Sequence, residues 1–91
     1  MKITVSGQAV HQCPFKDETD VGSFVLEFDS QHLFVELHQL KDVVDGFRDI
    51  AITHEDMTRS LHNAYPFATI TTRWRTAELD VECVVPGDES V

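Results

Sequence analysis

Hydrophobic and polar positions alternate at both ends of the chain and recur at helical spacing in the middle. Residues 1–8 place Ile3 and Val5 on one side, a short strand. Residues 9–20 carry no period and read as a loop. From Ser23 the alternation is clear: Phe24, Leu26 and Phe28 on one face, Ser23, Val25 and Glu27 on the other. A turn follows at Asp29-Ser30-Gln31, after which Leu33-Phe34-Val35 would extend a strand. The period then changes. Leu37, Leu40, Val44 and Phe47 recur at helical spacing, with Lys41, Asp42 and Asp45 outside and Gly46 near the helix end. Thr53 reads as an N-cap with Asp56 three residues on, opening a second helix lined by Met57, Leu61 and Ala64 and stopped before Pro66. Residues 67–74 alternate again, with Ala68, Ile70, Thr72 and Trp74 on one side. Leu79, Val81, Cys83 and Val85 then alternate with Glu78, Asp80 and Glu82, completing a hairpin.

The order is strand, strand, helix, helix, strand, strand. It predicts an α+β domain, an antiparallel sheet with both helices on one face. Residues 1–86 form one domain, and 87–91 read as a disordered tail. At 91 residues and 42% apolar composition the core is modest. A chain this short buries only about 60–65% of its unfolded surface, and four strands with open edges predict an oligomer.

Seven Lys and Arg against sixteen Asp and Glu leave a net charge of −9. That excludes a generic basic nucleic-acid binder and an anionic-membrane binder. No apolar run approaches the roughly 18 residues of a membrane span, and the first residues lead into no signal peptide, so a cytoplasmic location is expected. Two cysteines make no disulfide framework.

Cys13 stands out, in a polar loop after His11 and before Pro14. An imidazole near a thiol can activate it, because the thiolate is the nucleophile; the plain alternative is a thiol with no role. Cys83 falls on the apolar side of a strand and reads as buried and inert. Asp17, Glu18 and Asp20 crowd together, and like charges favour protonation of one of them; a solvated acidic loop is the simpler reading. Glu36 and the pair His54-Glu55 open the two helices. Carboxylates there serve as caps, or converge on a cleft toward the N–H donors of a purine or pterin ring. His11, Cys13, His54 and Cys83 could be assembled into a zinc set, but none of the usual ligand spacings is present, and no metal is expected. His32, His38 and His62 read as exposed helix or turn residues, and Phe24, Phe67 and Trp74 as core.

The loop His11-Gln12-Cys13-Pro14-Phe15-Lys16-Asp17-Glu18-Thr19-Asp20 resembles the active-site loop of the 7-cyano-7-deazaguanine nitrile reductase family. There a Cys-Pro is followed, seven residues after the Cys, by an Asp leading into a strand. Glu36 matches the family's Glu at the first helix, and His54-Glu55 its His-Glu pair at the second. The resemblance spans roughly residues 8–85. It implies the tunnelling fold, in ring-shaped pentamers or decamers with sites between subunits. It also implies roles: Cys13 attacks the nitrile carbon to form a covalent thioimide, Asp20 protonates the nitrile nitrogen, and Glu55, His54 and Glu36 hold the deazaguanine ring.

One departure bears on the reaction. Reductases carry two lysines in the first helix that help bind NADPH; this chain reads Glu36-Leu37-His38-Gln39-Leu40-Lys41-Asp42. The short chain and the missing lysine look more like the small reductase-like amidinotransferases, which let ammonia attack the thioimide in archaeosine-type tRNA modification. No cofactor is then expected, and the substrate is a 7-deazaguanine nitrile or a tRNA carrying it. The alternatives are NADPH-dependent reduction to 7-aminomethyl-7-deazaguanine, a non-catalytic deazapurine- or pterin-binding module, and a zinc-dependent pterin enzyme of the same fold. A tRNA substrate would need Lys41, Arg48, Arg59, Arg73 and Arg75 to gather on one surface.

Overall fold

The computed structural model describes residues 1–31 and 34–88. Six elements follow in the order β1 (Lys2–Gln12), β2 (Thr19–Asp29), α1 (Leu37–Asp45), α2 (His54–Ala64), β3 (Thr69–Thr76) and β4 (Leu79–Val85). The strands form one antiparallel sheet in the order β1-β2-β3-β4, so β1 and β4 are its edges. The core lies between one face of this sheet and the two helices. Ala9, Phe24, Leu26, Phe28, Ile70 and Trp74 from the sheet meet Leu40 and Val44 of α1 and Met57 and Leu61 of α2. No helix among the described residues is long and apolar enough to cross a membrane.

The ββααββ order and the one-sided helices agree with the expectation, and several boundaries differ. Within the expected loop, residues 9–12 and 19–20 are strand. β1 and β2 continue there, with Val10 paired to Val21, His11 to Asp20 and Gln12 to Thr19. The hydropathy period ends at Ala9 because polar His11 and Asp20 occupy the inward face, while the backbone pairing runs on. Gln12 is also held from its other edge: its N–H donates to the Ile50 carbonyl at 2.9 Å, and its carbonyl accepts from Ile52 N–H at 3.1 Å. Phe34 and Val35 form no strand; His32 and Leu33, of which the turn and strand expectations also spoke, lie outside the described residues. In α1, Leu40 and Val44 are buried but Leu37 is exposed. The inward stripe of α2 is Met57, Thr58 and Leu61, continued by Tyr65, whereas Ala64 points out. His62 is half-buried rather than exposed.

The segment after β4 is tied back to the start of β3. Gly87 N–H donates to Thr69 Oγ1 at 3.0 Å and Asp88 N–H to the Pro66 carbonyl at 2.8 Å. The rest of the expected tail, 89–91, lies outside the described residues. The β3–β4 hairpin closes through Ala77 and Glu78, both with positive φ (55° and 64°). This two-residue turn has the hand that matches strand twist, although neither residue is the Gly or Asn that usually marks it.

Candidate active site

Strand alternation aims the site residues. Inward positions of β1 run Ile3, Val5, Gly7, Ala9, His11, and those of β2 run Phe28, Leu26, Phe24, Gly22, Asp20, paired one to one. The same period that builds the core therefore delivers His11 and Asp20 to the helix side, at the end of the hairpin. The six-residue connection 13–18 begins there, closed by Cys13 N–H donating to the Glu18 carbonyl at 2.9 Å. The start of α2 lies opposite. Thr53 caps it, its Oγ1 accepting from Asp56 N–H at 3.1 Å, which puts His54 and Glu55 in the first turn. The end of β3 supplies Trp74 and Thr76.

These elements enclose a cleft of about 310 Å³ lined by Cys13, Asp20, His54, Glu55 and Thr76 among others. Of the expected site residues, Cys13, Asp20, His54 and Glu55 come together. Asp20 is separated from its acidic neighbours: it is 8% exposed, while Asp17 and Glu18 are on the surface. Its nearest ring neighbour, His11 Nδ1, is 3.9 Å away, beyond hydrogen-bonding reach, so the carboxyl group stays open to the cleft. Cys13 is half-buried, and so is Cys83. The expected burial of Cys83 is incomplete: it lies on the inward side of the sheet beside Thr72, but β4 is an edge strand and covers it only in part.

Glu36 is elsewhere. It caps α1, its Oε2 accepting from Gln39 N–H at 2.6 Å, and its Oε1 pairs with His38 Nδ1 at 2.8 Å. The His38 bond and the Gln39 amide hold its carboxyl below the usual range. Glu36 lies near Tyr65, whose hydroxyl is pushed up by burial and then by that carboxylate. Tyr65 follows the C-terminus of α2, and His54 opens it; 11 residues of helix span about 16 Å. One chain therefore does not bring Glu36 to Cys13.

Sequence reasoning missed the frame around His54. The His54 ring stacks on Trp74 (centroids 4.6 Å, interplanar 10°), and His11 meets both edge-on. His11 Nε2 lies 2.8 Å from His54 Nδ1, and His54 Nε2 lies 2.9 Å from Thr76 Oγ1. Both His54 nitrogens are thus engaged by protein groups. Below the rings runs a buried polar chain: Trp74 Nε1–H donates to Thr72 Oγ1 (2.9 Å), Thr72 and Thr58 hydroxyls meet at 2.6 Å, and Thr58 Oγ1 donates to the His54 carbonyl (2.7 Å). Every member has a partner, which is what such a buried chain requires. Trp74 can lie where it does because Gly22 is opposite: a Cβ there would fall 2.6 Å from the indole and 2.2 Å from the Arg73 carbonyl oxygen. His54 is held below the ordinary imidazole range, first by burial and then by repulsion from His11; Asp20 and Glu55 oppose this.

The four residues weighed as a zinc set do not assemble. Among the described residues, His11, Asp20 and His54 place ligand atoms within 4.8 Å of one another. The two facing nitrogens are already joined by a hydrogen bond. Of the five basic side chains that a tRNA would need, four are paired: Lys41 with Asp45 (2.8 Å), Arg59 with Asp56 (2.9 Å), Arg75 with Asp80 (2.8 Å) and, more loosely, Arg73 with Glu82 (3.7 Å); Arg48 makes no ion pair among the described residues.

No protein-family model and no curated protein matches the sequence. Among solved structures, the crystal structure of the archaeosine synthase QueF-Like in the apo form superimposes with a TM-score of 0.88. The match covers 96% of this chain and 94% of that one, at 19% identity. The chain therefore has the tunnelling fold of that archaeosine synthase.

Proposed function

We propose that the cleft binds a 7-cyano-7-deazaguanine nitrile, forms a thioimide through Cys13 and passes the carbon to ammonia, yielding an amidine. The observation that carries this reading is the convergence of Cys13, Asp20 and Glu55 on one cleft. Cys13 Sγ bonds to the nitrile carbon as the S–H bond and one C–N π bond break; the thiol proton passes to a base of the cleft, and Asp20 gives the nitrogen its proton. Ammonia then adds to the same carbon and returns a proton to Asp20, the C–S bond breaks, and the sulfur recovers its proton from that base. No electron pair is supplied from outside, so no reductant is needed. Glu55 accepts hydrogen bonds from ring N–H groups, since a carboxylate offers acceptors only. It takes the larger share of ring recognition, because both His54 nitrogens are occupied. Glu36 serves the cleft of a neighbouring copy.

Two observations favour amidination over reduction. His38 stands where reductases have a lysine and is tied to Glu36; Lys41 is tied to Asp45. The paired basic side chains and the net charge of −9 favour the free base over a tRNA. Mass analysis of products decides. With the nitrile and an ammonium salt the amidine is expected, and with NADPH no amine. NADPH consumption that depends on the nitrile would restore the reductase assignment; unchanged nitrile in both arms would leave a binding module.

A further inference from the structure

His11 is 0% exposed, and the chemistry above does not use it. Its Nδ1 lies 2.9 Å from the Gln12 carbonyl. A carbonyl only accepts, so Nδ1 carries the hydrogen and Nε2 of the neutral ring is bare. That bare nitrogen is 2.8 Å from His54 Nδ1, so His54 carries its hydrogen on Nδ1. His54 Nε2 is then bare in turn, and the Thr76 hydroxyl donates to it across 2.9 Å. A proton added to the pair can enter only at His54 Nε2, whereupon the Thr76 hydroxyl turns to accept. A second cannot be held, because the 2.8 Å gap between the rings holds one hydrogen. Trp74, stacked on one ring and edge-on to the other, keeps both from turning.

We propose that His11 is a positioning residue that fixes the tautomer of His54 and makes the pair a store for one proton, exchanged with the Cys13 thiol. Its use in turnover rests on the proposed thioimide chemistry. As the S–C bond forms, the S–H bond breaks and its proton goes to His54 Nε2, while the nitrile nitrogen is protonated by Asp20. When ammonia adds, it gives a proton to Asp20, and the departing sulfur recovers its own from His54. Both residues end as they began. The groups facing the pair are consistent with a single added charge. Asp20 from β2 and Glu55 from α2 are the nearby carboxylates, Cys13 comes from the connecting loop, and β3 contributes the uncharged Trp74 and Thr76.

The tautomers are directly readable. Long-range proton–nitrogen NMR of ring-labelled wild-type protein at neutral pH should show hydrogen on Nδ1, and a bare Nε2, in both His11 and His54. On acidification the pair should take up one proton. His11→Phe keeps an aromatic ring and should return His54 to the Nε2–H tautomer. The same variant should slow iodoacetamide alkylation of Cys13 at neutral pH by about tenfold or more, with Cys83 in the same sample unchanged. Should His11→Phe not fold, Thr76→Val carries the test: it removes the partner at Nε2 and should slow Cys13 alone. A wild-type His54 with hydrogen on Nε2, uptake of two protons together, stoichiometric zinc in the purified protein, or unchanged Cys13 alkylation in the folded variants would each overturn the proposal. None of these measurements uses the nitrile. A nitrile adduct with the wrong tautomers would sink the pair and leave the proposed function; the expected tautomers without an adduct would do the reverse.

Discussion

Asp17 and Asp20 stand three residues apart and meet different surroundings. Asp17 is on the loop surface, and Asp20 is buried against His11 by strand pairing. Composition could say only that carboxylates crowd here; the pairing of β1 with β2 decides which one enters the cleft. His11 is the converse case. It drew notice as a neighbour of Cys13 in sequence, yet its contacts are with His54, 43 residues on, which no local spacing announces. One consequence at this scale concerns acid stability. The folded chain holds the His54 proton less tightly than an ordinary imidazole, whose value is 6.5, mainly because burial penalises the charge. The unfolded chain then binds more protons near that value. The stability attached to His54 is present above pH 6.5 and is lost as pH falls through it toward the lower folded value. Urea unfolding across this range should show stability rising with pH, and His54→Gln should flatten the rise. An equally steep rise in that variant would contradict the assignment.

At the scale of elements, period and caps were legible: both helices, the Thr53 cap and the β3–β4 hairpin stand in the residue pattern. The ends of β1 and β2 were not, because polar side chains destined for the cleft interrupt the hydropathy while leaving the ladder intact. Gly22 shows what a pattern hides. Nothing in its neighbourhood marks a turn, and φ is not positive; it is required because β3 passes too close for a Cβ. Gly22→Ala would press on the Arg73 backbone and the Trp74 ring, and forcing such an overlap typically costs about 1–3 kcal/mol. The expected result is a lowered unfolding midpoint together with faster alkylation of Cys83 relative to wild type, as β3 and β4 shift outward. A variant as stable as wild type would mean that the β2–β3 register differs from the one described.

The molecule as a whole leaves much uncovered. β1 and β4 are open sheet edges, and Phe15, Val21, Phe34, Leu79 and Val84 are exposed. Open edges and scattered large apolar side chains on so small a core favour association, and Glu36, the cap of α1, lies by the far end of α2 from its own chain's cleft. Light scattering at micromolar concentration should therefore report an assembly several times the 10.3 kDa chain, in line with the expected ring. A monomer would remove Glu36 from ring recognition and leave the cleft to Cys13, Asp20 and Glu55. Fold class was legible because it rests on element order; assembly rests on edges and faces that a single chain only exposes.

Intact mass of the protein mixed with 7-cyano-7-deazaguanine bears most directly on the thioimide. The account predicts a mass increase equal to the whole nitrile, reversible on denaturation and mapped to Cys13. It should be absent in Cys13→Ala, retained in Cys83→Ala, and formed more slowly in Asp20→Asn, since loss of general-acid assistance typically costs about 10²–10⁴-fold in rate. An adduct on Cys83, or none on wild-type protein at saturating nitrile, would contradict it.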